Sequence, residues 1–534
     1  MQCRCSDPCD ERKPCRKARL ALGFVSAFVT TLLTLVNLSY LDYSSPTAPL
    51  FLFAQLVWFY VMLNHSATFV RLAFYQEPRR DWSLGGEPPL VSIIAPIYKE
   101  PVGLLLRFLE GLARQSYPPD RFEIIVVDDS PPEHSRNSRA AALEYASLSG
   151  IKLRYIIRED RRGYKGGAVR RGIEEAAGKY IVVMDIDHRP LPHMLEEMVA
   201  VAEANPGFDA VMFPQCFPLP RNSVENACHV GQLFDYSFSR KGKSVTNSAF
   251  CVGTNWIARR GRVLEAGGYD DETIVEDMAT GLKKWHPAGL RLGFAEGTLA
   301  VGTVPSTLSA WRVQQYRWAY GTFTVLPEVL RRMRSLSFFQ AVDYLYTVVW
   351  YMVGPAILAS HLLPFLVALG FNLLSVPSPI VYLVVIVGFT GLQIAVFAAP
   401  LILEGESPAR VLLCQATGLL VADVYARAMV DALLGRRRGF KVTPKEGAGR
   451  KPLREVLRET AVPLFLAALN VAAIGVSVAR DRMPYVVAPW AAYNLAWIAV
   501  GVGSYLRDVY WSGGGEQVAE AAPICRVMPC MPYP

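Results

Sequence analysis

A chain of 534 residues has room for two or three domains. At 52% hydrophobic residues it is too apolar to be wholly soluble, and its net charge of +8 needs no nucleic acid to account for it. The apolar excess is concentrated in residues 19–75 and in a half beginning near residue 341, with a polar stretch of ordinary globular composition between them. That layout predicts a soluble domain inserted between membrane spans.

Residues 1–19 form a basic tail in which Cys3, Cys5, Cys9 and Cys15 crowd together, and Cys525 and Cys530 lie near the other terminus. Their spacing is not a standard zinc pattern, so a basic tail with incidental thiols is the plainer reading beside a small metal knot. Runs long enough for the ~20 residues that cross a bilayer occur near 20–40, 48–72, 343–369, 379–402, 461–479 and 485–505. The first is too long for a cleaved signal peptide and no small-residue cleavage site follows it. The connectors 41–47 and 371–378 carry no Lys or Arg, and 480–484 carries two Arg. The positive-inside rule therefore predicts a multi-pass cell-membrane protein with the soluble block and both termini cytoplasmic. The basic residues serve secondarily to hold anionic substrate or lipid headgroups.

After "GGEPP", the run "LVSIIAPIYKE" (90–100) predicts a buried strand. A helix follows over 102–115 with Leu104, Leu105, Phe108, Leu109 and Leu112 at helical spacing. "FEIIVVDDS" (122–130), "KLRYIIRE" (152–159) and "YIVVMDID" (180–187) predict three more strands, and "KGGAVRRGIEEAAG" (165–178) a helix that begins on glycines. Strands alternating with helices predict a mostly parallel sheet covered on both faces, whose carboxyl edge binds the ligand. Two of these strands end in acid, at Asp128 and Asp129 and at Asp185 and Asp187. A lone D-x-D is more often a solvated turn. Two acid-terminated strands in one sheet instead point to a hard cation, Mg²⁺ or Mn²⁺, shared with a diphosphate, because unneutralised carboxylates repel. Farther on, "VLLCQATGLLVADVYARAMVDALLG" (411–435) carries Asp423, Arg427 and Asp431, a density that predicts an amphipathic helix at the cytoplasmic interface.

Six segments in order, "PIYKE", "VVDDS", "KGGAVRRG", "MDIDH", "AFCVGTNWIARRGRVLEAGGYDDETIVED" and "QQYRW", resemble the motifs of family 2 glycosyltransferases. The resemblance covers about 90–505 and is strongest to the membrane-embedded cellulose-synthase-like and hyaluronan-synthase-like branch. It implies a GT-A domain that uses a nucleotide-diphosphate sugar, usually UDP-linked. It further implies that Tyr98 and Glu100 pack and bond the base, that Asp128 contacts the uracil and that Asp129 supports it. Asp185 would bond the nucleotide or ribose, Asp187 would ligate the metal with Asp185 beside it, and Lys165 would approach the phosphates. Gln314, Arg317 and Trp318 match Q-x-x-R-W, which implies Arg317 on the diphosphate and Trp318 as a stacking floor for the acceptor. Asp277 matches the aspartate of "TED" and is the implied base, with Glu276 in a partial role. Acids in a first helical turn also have a bland explanation in the helix dipole. "FKVTPKEG" (440–447) resembles a gating loop whose Thr443 and Lys445 reach the donor phosphates.

Several positions depart from the family pattern. Ile97 and Lys99 stand in "PIYKE" for "PTYNE", Val275 replaces the threonine of "TED", and the acceptor motif "FFCGS", which would place Cys251 at the acceptor, has one residue inserted before Gly253. No further soluble domain follows the gating-like loop, so an appended cyclic-dinucleotide module is not expected.

The sequence thus predicts 1–19 as a tail, 20–75 as two spans, 82–300 as the GT-A domain and 301–340 as interfacial helices. It predicts 341–403 as two spans, 404–460 as an interfacial helix and gating-like loop, 461–507 as two spans and 508–534 as a tail. The leading expectation is a processive, inverting, metal-dependent hexosyltransferase that extends a polysaccharide from a UDP-sugar and translocates it. The runner-up loads one sugar onto a lipid-linked acceptor. A transporter with an ATP-binding domain would need a G-x-x-x-x-G-K-[ST] loop, which 80–340 lacks.

Overall fold

The computed structural model describes residues 16–81, 87–371, 373, 378–436 and 451–511. Thr443 and Lys445 of the gating-like loop, and all six terminal cysteines, lie outside the described residues.

The soluble block is built on nine strands: β1 (Val91–Ile97), β2 (Phe122–Asp128), β3 (Leu153–Ile157), β4 (Tyr180–Val183), β5 (Arg189–Pro190), β6 (Ala210–Met212), β7 (Trp256–Arg259), β8 (Leu292–Phe294) and β9 (Ala300–Val301). Seven of them form one sheet in the order β3-β2-β1-β4-β7-β6-β8, and β5 pairs with β9. Pairing is parallel from β3 through β4, and β7 runs antiparallel to both of its neighbours. The continuous apolar runs are explained by burial on two faces. Ile93, Ala95, Ile124, Val126 and Val182 meet Leu105, Phe108, Leu109 and Leu112 of the helix Val102–Ala113 on one side. The alternate residues Ile94, Ile125, Val127, Ile181 and Val183 meet Val169 and Ile173 of the helix Tyr164–Glu175 on the other. Each such side chain contributes about 1.5–3 kcal/mol of burial, and a one-residue slip would exchange the two faces.

Among the described residues, six helices are long and apolar enough to cross a membrane: Arg16–Ser39, Ala48–Leu72, Phe338–Ala368, Pro408–Leu433, Ala461–Ala479 and Pro484–Tyr510. Five coincide with expected spans. The expected span 379–402 forms the helix Pro379–Leu403, of which Val387–Leu403 counts as a shorter apolar helix. The stretch 408–433, expected at the interface, meets the length requirement only when taken through its breaks. It consists of the helix Pro408–Gly418, a 3₁₀ turn at Leu419–Val421 and the helix Ala422–Leu433. Its acids are answered by protein: Arg312 pairs with Asp423 at 2.9 Å, and the Tyr316 hydroxyl donates to Asp431 at 2.7 Å.

Candidate active site

The carboxyl ends of β1, β2 and β4 lie side by side, since Ile97 is in register with Asp128 and Ile94 with Val183. Beyond them opens a cavity of about 1080 Å³ that continues from the sheet edge into the helical bundle.

At one end of the cavity, β1 delivers Tyr98 and Glu100, both on the wall. The Tyr98 N–H donates to the Glu100 carboxylate, and Lys99 between them takes φ 62°, so Glu100 serves partly to hold the turn. The Arg161 guanidinium lies over the Tyr98 ring at 3.2 Å from its centroid. The expected roles of the adjacent aspartates are corrected. Asp128 is fully buried, and its carboxylate accepts the Ser130 N–H at 2.7 Å and the Tyr155 hydroxyl at 2.6 Å. It therefore braces the turn and does not line the cavity. Asp129 lines the cavity, 3.4 Å from Arg158, and burial pushes its carboxyl up to about 6 against the pull of Arg158 and Arg161.

After β4 the chain turns through Asp185 and Asp187, both on the wall. The Asp185 N–H donates to Thr254 Oγ1 at 3.0 Å and the Asn255 N–H to the Val183 carbonyl at 3.0 Å, so the start of β7 pins the end of β4. The expectation of acids without bases is corrected here. Lys165 Nζ is 2.7 Å from Asp185, and His188 Nδ1 is 3.0 Å from Asp187 Oδ1. Lys165, expected near the phosphates, thus has a carboxylate partner on the cavity wall. Two glycines make this possible. Gly163 caps the helix Tyr164–Glu175 at φ 74°. A Cβ at Gly166 would collide with the Asp270 carbonyl and come within 2.9 Å of Glu276 Cβ. The helix that carries Lys165 consequently lies flush against the loop that carries the next acids.

Those acids, Glu276 and Asp277, open the helix Glu276–Thr280 and face the cavity. Burial raises both carboxyls above their ordinary range. Glu276 is raised further by Asp277, and Lys165 lowers both, which leaves Glu276 at about 7. Asp277 Oδ1 accepts the Met278 N–H at 2.7 Å. Arg240, held by Asp235 at 2.6 Å, adds a positive charge that favours ionised Asp277.

Gln314, Arg317 and Trp318 sit at i, i+3 and i+4 of the helix Leu308–Arg332 and share its cavity face. Burial lowers the Arg317 guanidinium from its ordinary value, and Glu276, Asp185, Asp277 and Asp187 hold it up. One arginine feels four carboxylates drawn from two loops of the chain. Cys251, expected at the acceptor, is instead 2% exposed in the core with Tyr236, Trp256 and Tyr269, while Phe250, Val252 and Gly253 line the cavity. Sequence reasoning also passed over Arg161, His188 and Arg240. His188 directly follows the D-x-D, which was the one local signal available.

Among the described residues no cluster of three or more His, Cys, Asp or Glu closes around a metal position. The donor set still fits a hard cation, because Asp185 and Asp187 offer oxygens beside Glu276 and Asp277, and such a cation completes its shell with substrate phosphates and water.

Comparison with known proteins gives a consistent picture. The profile "Glycosyl transferase family 2" matches residues 92–264, and "Glycosyl transferase family group 2" matches residues 180–399. Over 242 residues the chain is 29% identical to probable glucomannan 4-beta-mannosyltransferase 7 of Oryza sativa subsp. japonica, covering 44% of this chain and 41% of the relative. Over 296 residues it is 30% identical to glucomannan 4-beta-mannosyltransferase 9 of Arabidopsis thaliana, covering 52% and 53%. Over 248 residues it is 28% identical to cellulose synthase 2 of Novacetimonas hansenii, covering 45% and 15%. The chain thus spans about half or less of the curated relatives it matches.

Proposed function

Since the chain belongs to the family 2 glycosyltransferases, on their cellulose-synthase-like branch, we propose that it is a processive, inverting hexosyltransferase. It takes a glucosyl or mannosyl unit from a UDP-sugar, extends a polysaccharide and passes the product through its own helices. One observation carries the reading: the cavity that holds Asp185, Asp187, Glu276, Asp277 and Arg317 runs on without a break past Trp350 and Gln393 to Trp490, Asn494 and Trp497. A cytosolic enzyme that releases its product has no use for such a path. A chain of sugars does, because aromatic faces suit the apolar faces of sugar rings and amides exchange hydrogen bonds with hydroxyls.

In this reading Tyr98 and Asp129 hold the base, the latter in place of Asp128. Lys165 and Arg317 meet the diphosphate, since guanidinium matches phosphate bidentately. Asp185 and Asp187 hold Mg²⁺ or Mn²⁺, which neutralises charge on the leaving nucleotide when bound. Asp277 accepts the proton of the attacking acceptor hydroxyl, and Glu276 beside it keeps the pair's affinity for protons near neutral. Gln314 and Trp318 position the acceptor ring. Thr443 and Lys445, outside the described residues, keep their role as a proposal. The soluble block 82–300, the interfacial helices 301–340 and both termini face the cytoplasm, and 404–460 lies at the interface.

The runner-up is a single transfer onto a lipid-linked acceptor. Purified protein incubated with a panel of radiolabelled UDP-sugars, followed by sizing of the product, separates the two. A long polymer is expected; one sugar on lipid would replace the leading reading.

A further inference from the structure

Two lysines stand two residues apart in the turn Lys241–Ser244, and their surroundings differ. Lys241 is 3% exposed and forms an ion pair with Glu296. Lys243 is 7% exposed, lines the cavity, and has no carboxylate within ion-pair distance among the described residues. Its ammonium sits 4.1 Å from the centroid of the Tyr346 ring, which is held in place by His65 Nε2 at 2.8 Å from the hydroxyl. Both nearby acids are engaged elsewhere. Asp235 is bound by Arg240. Asp343 accepts from Arg71 at 2.6 Å, from Asn64 at 2.8 Å and from Ser248. Burial pushes the Lys243 ammonium down to about 8, against the pull of Asp343 and Asp235. A buried ammonium without a counter-charge is costly and is retained where a ligand supplies the charge.

The position is fixed. The Gly242 backbone is pressed on the helix Ala48–Leu72, where a Cβ would meet Thr68 Cγ2 at 2.5 Å. Tyr346 belongs to the helix Phe338–Ala368 and His65 to the helix Ala48–Leu72, so Lys243 stands on the cavity wall where the soluble block meets the bundle, on the path proposed for the acceptor.

We propose that Lys243 forms an anion subsite in the acceptor path, which takes one carboxylate or phosphate carried by the acceptor. The inference rests on the proposed acceptor path and adds to it a charge preference that a neutral glucan or mannan path does not need. Two sources supply such a group: an acidic sugar within the growing chain, or the phosphate of a lipid-linked acceptor.

The test is calorimetric binding to the purified full chain, with UDP binding as the check that each variant is folded. One arm compares β-linked tetrasaccharides ending in glucuronate or in glucose; the other compares dodecyl phosphate with dodecanol. The anionic member of at least one pair is expected to bind roughly ten- to a hundred-fold more tightly, the range of a charge-assisted hydrogen bond. Lys243→Met should abolish that preference and Lys243→Arg should keep it. The arm that shows the preference names the source. Equal binding of charged and neutral members, or a preference that survives in Lys243→Met, overturns the subsite and leaves the acceptor path standing. No binding by any oligosaccharide or lipid overturns the path as well.

Discussion

The two ends of the cavity treat polarity in opposite ways. At the sheet edge, Asp185, Asp187, Glu276 and Asp277 face Lys165 and Arg317 across a few residues of wall. In the bundle, the wall is made of rings and amides such as Trp490, Asn494 and Trp497, and the amides are satisfied by one another. Asn494 Nδ2 donates to Asn470 Oδ1 at 3.0 Å and Asn470 Nδ2 to the His361 carbonyl at 3.0 Å. Charge at one end suits a step in which charge moves, because fixed charges act strongly in a site that excludes water. Neutral contacts at the other suit a product that must bind and let go repeatedly.

The largest blow to this contrast comes from removing the cation. In excess chelator, or in Asp187→Asn, sugar transfer should fall to background, because the charge of the departing diphosphate is then met by Lys165 and Arg317 without the cation. Metal-stimulated UDP binding measured by calorimetry should vanish with it. Full transfer in chelator would remove the reason for the acidic end.

Next comes the base. Asp277→Asn should cost at least ~10²-fold in kcat while donor binding stays near wild type. The acid pair also sets a pH limb. Glu276 sits at about 7 through burial and the charge of Asp277, and once ionised it adds a negative charge beside the cation site, so kcat/KM should rise with pH through that region. Removing the Asp277 charge lowers Glu276 and should move the residual limb toward acid. A limb near the ordinary carboxylate range in wild type would contradict this.

Arg317 and Trp318 share one helical turn and divide the contrast between them. Arg317→Ala should weaken UDP binding by about 1.5–3 kcal/mol, whereas Trp318→Ala should leave UDP binding alone and impair chain extension. The reverse pattern would show that Trp318 meets the donor and Arg317 the acceptor.

The smallest effect is expected in the bundle. Trp497→Ala removes one ring among several, each worth about 0.5–1.5 kcal/mol, so turnover should change by a few-fold at most while the product becomes shorter. A drop as large as that of Asp277→Asn would mean that the bundle takes part in the chemistry.

Much of this was legible in the residues. The strands of the sheet are continuous apolar runs because both faces are covered, and the acids that end them mark the ligand edge in the sequence itself. The choice between Asp128 and Asp129 was not legible. It depends on which phase of the pleat meets the Tyr155 hydroxyl, brought in from a strand that lies elsewhere in the sequence. The Lys165–Asp185 pair was hidden for the same reason, since a local reading of "MDIDH" sees no base within reach. In the sequence Lys243 is one cation of the stretch "RKGK"; only packing against Tyr346, with Asp343 already taken, sets it apart from Lys241. The segment 408–433 is ambiguous by nature. Its charges argue against lipid, but Arg312 and Tyr316 answer two of them from within the protein.

The reversed strand β7 has a consequence for how long the site keeps its shape. The two residues just before it hold the end of β4 and the turn of Asp185 through the Thr254 hydroxyl and the Asn255 amide, and the strand itself sits between β4 and β6 inside the sheet. Loops at sheet edges ordinarily open on their own, at a small fraction of the global unfolding free energy. The bonds of Thr254 and Asn255 tie this turn to an interior strand pair, so its hydrogen-exchange protection should match that of the sheet. The turn of Asp185 would then open only with the core, and in the proposed reaction any motion that admits or releases substrate would come from other walls of the cavity.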